Sequence, residues 1–161
     1  MVGKSDLILL MGAMVIFSLI TISANGFFLR NNIIQVNSEL NFTAVSLAQN
    51  VINKARDKAF DQTTINGNKP SNVPSGFSSV LGPENGETYA NFNDFDDFNN
   101  YSSIDTTANG VYTLKVTVHY VSSSNFKQNV TGPTKFKRMI VQVTNPSMKD
   151  PVHLSYIKSY Y

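Results

Sequence analysis

Leu7 to Leu29 is a run of 23 residues without a charge, LILLMGAMVIFSLITISANGFFL. As a helix it is roughly 34 Å long, enough to cross a bilayer core of about 30 Å. A segment this apolar must end in lipid or in a packed helical core. Lys4 and Asp6 precede it and Arg30 closes it. Ser5 or Asp6 is placed to cap the helix, and a negative Asp6 suits the positive end of the helix dipole. Thr21, Ser23, Asn25 and Gly26 make the second half less apolar, with Gly26 the weakest point for a helix. A cleaved signal peptide has a shorter apolar stretch and a better small-residue pair than Ile22/Ala24 or Thr21/Ser23 offer. A transmembrane anchor fits better.

The next segment keeps a helical period. Apolar residues recur at Ile33, Val36, Leu40, Ala44, Leu47, Val51, Ala55 and Ala59, in steps of three and four, with polar residues on the other faces. Asp57 is spaced to pair with Lys54. The expectation is one long helix from about Ser5 to about Phe60, roughly 80 Å in length. It is apolar all round in its first half and apolar on one face in its second.

Residues 61–110 are rich in Asn, Gly, Pro, Ser and Asp. So long a stretch without regular structure is improbable in a compact domain, so short turns or strands are expected. Phe77, Val80, Leu81, Tyr89, Phe92, Phe95 and Phe98 are the residues expected to hold them. From Val111 the period becomes two. Tyr112, Leu114, Val116, Val118 and Tyr120 share one strand face. Met139, Val141 and Val143 mark a second strand within 135–144, and Val152, Leu154 and Tyr156 a third within 151–158. The predicted fold is α+β: a long N-terminal helix packed on an antiparallel sheet of three or more strands. Its parts are an apolar half-helix at 1–30, an amphipathic half-helix at 31–61, and a variable loop plus sheet at 62–161.

At 161 residues the chain has room for one domain of ordinary size. Without cysteine it holds no disulfide framework, CxxC site or Cys-ligated metal. A net charge of +2 is not the dense basic face of a nucleic-acid binder. Charged residues are 15% of the chain, against about 25% in a typical soluble domain. Neutral groups supply the polarity instead, with 19 Asn and 17 Ser.

Three phrases carry a resemblance. SLAQNVINKARDKAFD (Ser46–Asp61) is similar to the end of the long helix in many minor pilins and pseudopilins. NFNDFDDFNNYSS (Asn91–Ser103) is similar to the "FDDxDDYNG" segment of those proteins, and KRMIVQVTNPSMKDPVHLSYI (Lys137–Ile157) to their terminal strands. With the long helix they cover most of the chain, which thus resembles the type IV pilin-like family. The opening departs from that pattern. Lys4 follows Gly3 where the family has a phenylalanine, and Asp6 would be third after a cleavage at Gly3, where the family has glutamate at position five.

The resemblance implies a single-pass inner-membrane precursor that becomes a structural subunit of a cell-surface helical filament. Its partners would be further copies of itself and an assembly machinery. The helix-core residues implied are Asp6, Leu7, Leu10, Gly12, Ala13, Ile16, Leu19, Ile20, Gly26 and Phe27. Small residues among them allow close packing. Asp6 either caps the helix or neutralises an amine in the bundle. A tip pseudopilin of a pilus or secretion machine, or a lone anchored binding module, are the alternatives.

No catalytic constellation is legible, so an enzyme is not expected. Asp94, Asp96 and Asp97 form the one acidic cluster. Calcium is the cation such oxygens would take, although the EF-hand pattern fails. The competing reading is a loop that buries Phe92, Phe95 and Phe98 and solvates its carboxylates. His119 and His153 are read as surface residues, although paired strands would be able to bring them together. Lys127, Lys135, Lys137 and Arg138 are read as a solvated basic edge. Three Asn-X-Ser/Thr sites, at Asn41, Asn100 and Asn129, leave glycosylation open.

Overall fold

The computed structural model describes residues 3–161. Helix α1 runs unbroken from Lys4 to Arg56. The chain divides into two compact units, one ending at Glu39 and the other spanning Leu40–Tyr161.

Leu40–Tyr161 is the α+β unit. Strands β1 (Ser102–Thr107), β2 (Gly110–Tyr120), β3 (Phe136–Thr144) and β4 (Val152–Ser159) form one antiparallel sheet in the order β1-β2-β3-β4. The apolar face of β2 lies against the last turns of α1, as the alternation predicts. Tyr112, Leu114, Val116 and Val118 from β2, and Met139, Val141 and Val143 from β3, share a core with Leu40, Ala44, Ala48, Val51, Ile52 and Ala55. Alanine at the fully buried positions 44, 48 and 55 brings the helix backbone close to the sheet. Val152, Leu154 and Tyr156 of β4 cover the flank of this core. Tyr112 satisfies its buried hydroxyl by donating to the Leu40 carbonyl at 3.3 Å.

The expected apolar stripe holds from Leu40 to Ala55. Ile33 and Val36, which continue it toward the N-terminus, are 61% and 55% exposed. The helix stops at Arg56, four residues before the expected end. There Lys58 turns back onto the Ala55 carbonyl and Ala59 donates to the Asn93 carbonyl. The departing chain delivers Phe60 to a second small core with Phe77 and Tyr120. Asp57 pairs with neighbouring Arg56, while Lys54 donates to the Tyr89 hydroxyl at 3.0 Å.

The sheet has one strand more than the three read from the period. β1, SSIDTT, has no buried face, and its one large apolar residue, Ile104, is 70% exposed. It is an edge strand held by its backbone ladder to β2, from Ser102↔Lys115 to Thr107↔Gly110. Gly110 closes that hairpin at φ 116°, a conformation that suits glycine. Short 3-10 turns at Gln62–Gly67 and Asp96–Phe98 supply the other regular structure in the loop region. Phe77, Phe92, Phe95 and Phe98 are buried as expected, but Val80 is 81% exposed and Tyr89 lies at the surface.

Candidate functional site

Two regions carry the residues of interest. The first is α1 up to Glu39. Among the described residues, this is the one helix long and apolar enough to cross a membrane. Leu7, Leu10, Ile16, Leu19, Ile20 and Phe27 are between 51% and 63% exposed. Two hydroxyls in the middle of this surface are satisfied within the helix. Ser18 donates to the Met14 carbonyl at 2.8 Å and Thr21 to the Phe17 carbonyl at 2.9 Å. Such bonding removes most of the cost of placing a hydroxyl in lipid. Nothing lies within 4 Å of a side chain built at Gly12 or Gly26, and the helix continues through Ser23–Gly26. Asp6 sits in the first turn and accepts from the Gly3 backbone N–H at 3.0 Å, so it ties back the residue that begins the helix rather than being the N-cap itself.

The second region is the acidic segment and the strand that meets it. Here the structure corrects two readings. Asp94, Asp96 and Asp97 are buried, not solvated. Lys137 is fully buried as well, not part of a solvated edge, because it shares the inward face of β3 with Met139, Val141 and Val143. Its ammonium donates to Asp61 Oδ2 at 2.8 Å, to the Phe60 carbonyl at 2.8 Å, and to Asp96 Oδ1. The rings of Phe60 and Tyr120 flank it at 4.6 and 5.2 Å.

Asp61 joins this centre to four parts of the chain. It caps the first 3-10 turn by accepting from Thr63 N–H at 3.1 Å, and it accepts from Ser78 N–H at 3.1 Å. It also accepts from the Tyr120 hydroxyl at 3.2 Å and from Lys137. Burial pushes the Asp61 carboxyl up, but Lys137 and Thr63 outweigh it and hold the group below the usual carboxylate range. Burial dominates at Asp96, whose carboxyl is raised although Lys137 opposes the shift. Burial, with the charges of Asp96 and Asp97, pushes Asp94 up to about 8.

The three acids do not converge as one ligand set. Asp94 Oδ1 accepts from Asp96 N–H at 2.8 Å and from Asp97 N–H at 3.2 Å. Asp97 Oδ2 accepts from Asn93 N–H at 2.7 Å and from Asp94 N–H at 2.9 Å. Asp96 faces Lys137, whereas Asp97 faces Glu84 and Glu87, which the sequence reading did not single out. Burial, a hydrogen bond with Glu87 and the charge of Asp97 push Glu84 up to about 7.

His119 and His153 do not meet. His119 pairs across strands with Arg138, and His153 pairs with Gln142, so β3 and a four-residue offset separate them. Compared with protein-family models, with curated proteins and with solved structures, the chain matches none.

Proposed function

We propose that the chain is a structural subunit of an extracellular, pilus-like helical filament, assembled through its N-terminal apolar helix. One observation carries this reading. A helix with more than twenty consecutive uncharged residues leaves its large side chains exposed, while the same helix ends in the core of a folded α+β unit. Such a surface demands an apolar partner.

In the proposed sequence, the bilayer holds residues 7–29 before assembly, with the α+β unit outside. Assembly moves the helix from lipid into a bundle of like helices. Association there comes from close packing, since lipid and leucine are equally apolar. Gly12, Ala13, Ser18 and Gly26 allow that approach. The contact is head-to-tail and non-closing, so it repeats. A head rich in Asn and Ser stays hydrated with little charge repulsion between crowded copies. The role is structural, not catalytic.

The test is electron microscopy of sheared cell-surface material, with mass spectrometry of its protein. Fibres composed mainly of this chain are expected. Fibres in which it is scarce would make it a tip component. Detergent-extracted monomers without fibres would leave only a lone membrane anchor.

A further inference from the structure

The Lys137 centre holds more than an ion pair needs. The side chains of Lys137, Asp61 and Asp96 are each at most 1% exposed. The rings of Phe60 and Tyr120 flank the ammonium, so one nitrogen lies between two carboxyl groups with no access to bulk water. Nζ is in hydrogen-bond contact with Asp96 Oδ1. A nitrogen so placed stands about 3–3.5 Å from the carboxyl carbon, the separation of a near-attack geometry.

The two carboxyl groups are not equivalent. Asp61 accepts from Thr63 N–H, the Thr63 hydroxyl, Ser78 N–H and the Tyr120 hydroxyl, all at 2.8–3.2 Å. These donors stabilise its anion. Asp96 has Lys137 on Oδ1 and a long contact from Gly82 N–H, 3.4 Å, on Oδ2. Burial raises the Asp96 carboxyl although Lys137 opposes the shift, so Asp96 is the member that takes up a proton. An uncharged carboxylic acid is open to attack by an amine, whereas a carboxylate resists it.

We propose that Lys137 and Asp96 condense into an amide, a covalent bond that ties β3 to the Asp96–Phe98 turn. Asp61 takes one proton from the ammonium and frees the nitrogen lone pair. Nζ attacks Cγ of protonated Asp96, and the carbonyl electron pair moves onto Oδ2, toward Gly82 N–H. The carbonyl reforms as the bond from Cγ to Oδ1 breaks. Oδ1 leaves as water, carrying its own proton and a second one from the nitrogen. The last hydrogen on Nζ stays with the Phe60 carbonyl, 2.8 Å away. The first ammonium proton remains on Asp61. No oxidant or co-reactant is consumed, and two buried charges, on Lys137 and Asp61, are removed. The nitrogen must first give up a proton held among three oxygens, so the reaction follows folding slowly. The freshly folded chain carries the ion pair and the aged chain the amide. The bond lies within one subunit and does not depend on the filament reading.

The test follows the full-length chain in detergent at pH 7 by intact-mass spectrometry from folding onward. The mass should fall by one water, and digestion should then yield a branched peptide joining the Lys137 and Asp96 segments. The bond joins residues 41 apart, so the aged chain should melt about 10 °C or more above the fresh one. A chain kept in urea should not react. K137R retains the cation without an amine able to condense, and should keep its full mass. D61N lacks the proton acceptor and should convert about a hundredfold more slowly or less. The parent chain alone decides the matter, so a variant that fails to fold leaves the test intact. An aged, folded parent of unchanged mass would overturn the proposal. So would a water lost without the branched peptide, as from an aspartyl succinimide, or equal conversion in urea. A folded D61N that converts at the parental rate would overturn the role given to Asp61.

Discussion

Replacing Lys137 with methionine isolates the charge at the buried centre, because methionine retains most of the volume of the apolar stem. The Phe60 carbonyl, Asp61 and Asp96 all lose their donor. Removing one partner of a fully buried pair costs about 3–5 kcal/mol, chiefly because the remaining charge is uncompensated. Both carboxylates here are at most 1% exposed, so water cannot replace the ammonium without opening the core.

The pH dependence gives the argument its sign. In the parent chain Asp61 is held below the usual carboxylate range, so it binds protons less well folded than unfolded. Its contribution is present above the unfolded value of 3.8 and is lost as pH falls through the folded one. Without Lys137, burial, the largest influence on Asp61, is opposed only by the remaining hydrogen bonds from Thr63, Ser78 and Tyr120, and the carboxyl rises. The variant then loses stability as pH rises through about 4, by up to about 1.4 kcal/mol per unit for one proton. The difference between K137M and the parent should therefore be small near pH 3 and reach its full size by pH 7. Urea unfolding of the full chain in detergent measures it. Near-UV circular dichroism of the tyrosines is the signal, since the chain has no tryptophan. A cost below about 1 kcal/mol at pH 7, or one that does not change with pH, would refute the reasoning.

Ala48→Leu should destabilise by about 1–3 kcal/mol through overpacking, whereas Gln49→Leu on the exposed face should not, as paired urea titrations would show. Burial pushes Lys158 down to about 8, so the unfolded chain binds more protons between pH 8 and the ordinary value of 10.5. Stability should rise with pH across that window, and K158M should abolish the rise in thermal melts. Ala13→Leu should leave the melt of the α+β unit unchanged and reduce the fibre yield in sheared material, because it widens the helix at a small-residue contact.

Period alone made most of the fold legible. Alternation of Tyr112, Leu114, Val116 and Val118 against polar neighbours leaves β2 only one face to bury, and spacings of three and four from Leu40 to Ala55 do the same for the helix. β1 was not legible for the same reason in reverse. An edge strand of Ser, Asp and Thr buries no face, and its partner's backbone places it. The ionic centre was half legible. Lys137 has the same strand parity as Met139 and Val141, so the alternation already turned it inward. Its partners are 76 and 41 residues away, and no local pattern points to them. Glu84 and Glu87 were hidden by their setting, a turn-rich stretch where acids are ordinarily solvated. Only the fold brings Asp97 against them.

The central claim concerns the contact that the apolar helix makes with further copies. The chain has no cysteine, so engineered ones report without background. Pairs of cysteines, one within Leu7–Leu10 and the other within Ile16–Phe27, would be oxidised in intact cells and resolved on non-reducing gels. A repeating head-to-tail contact predicts a ladder of many covalently joined copies for pairs that face a neighbour. A pattern that stops at monomer or dimer for every pair would mean a closed contact or none, and would contradict the filament account.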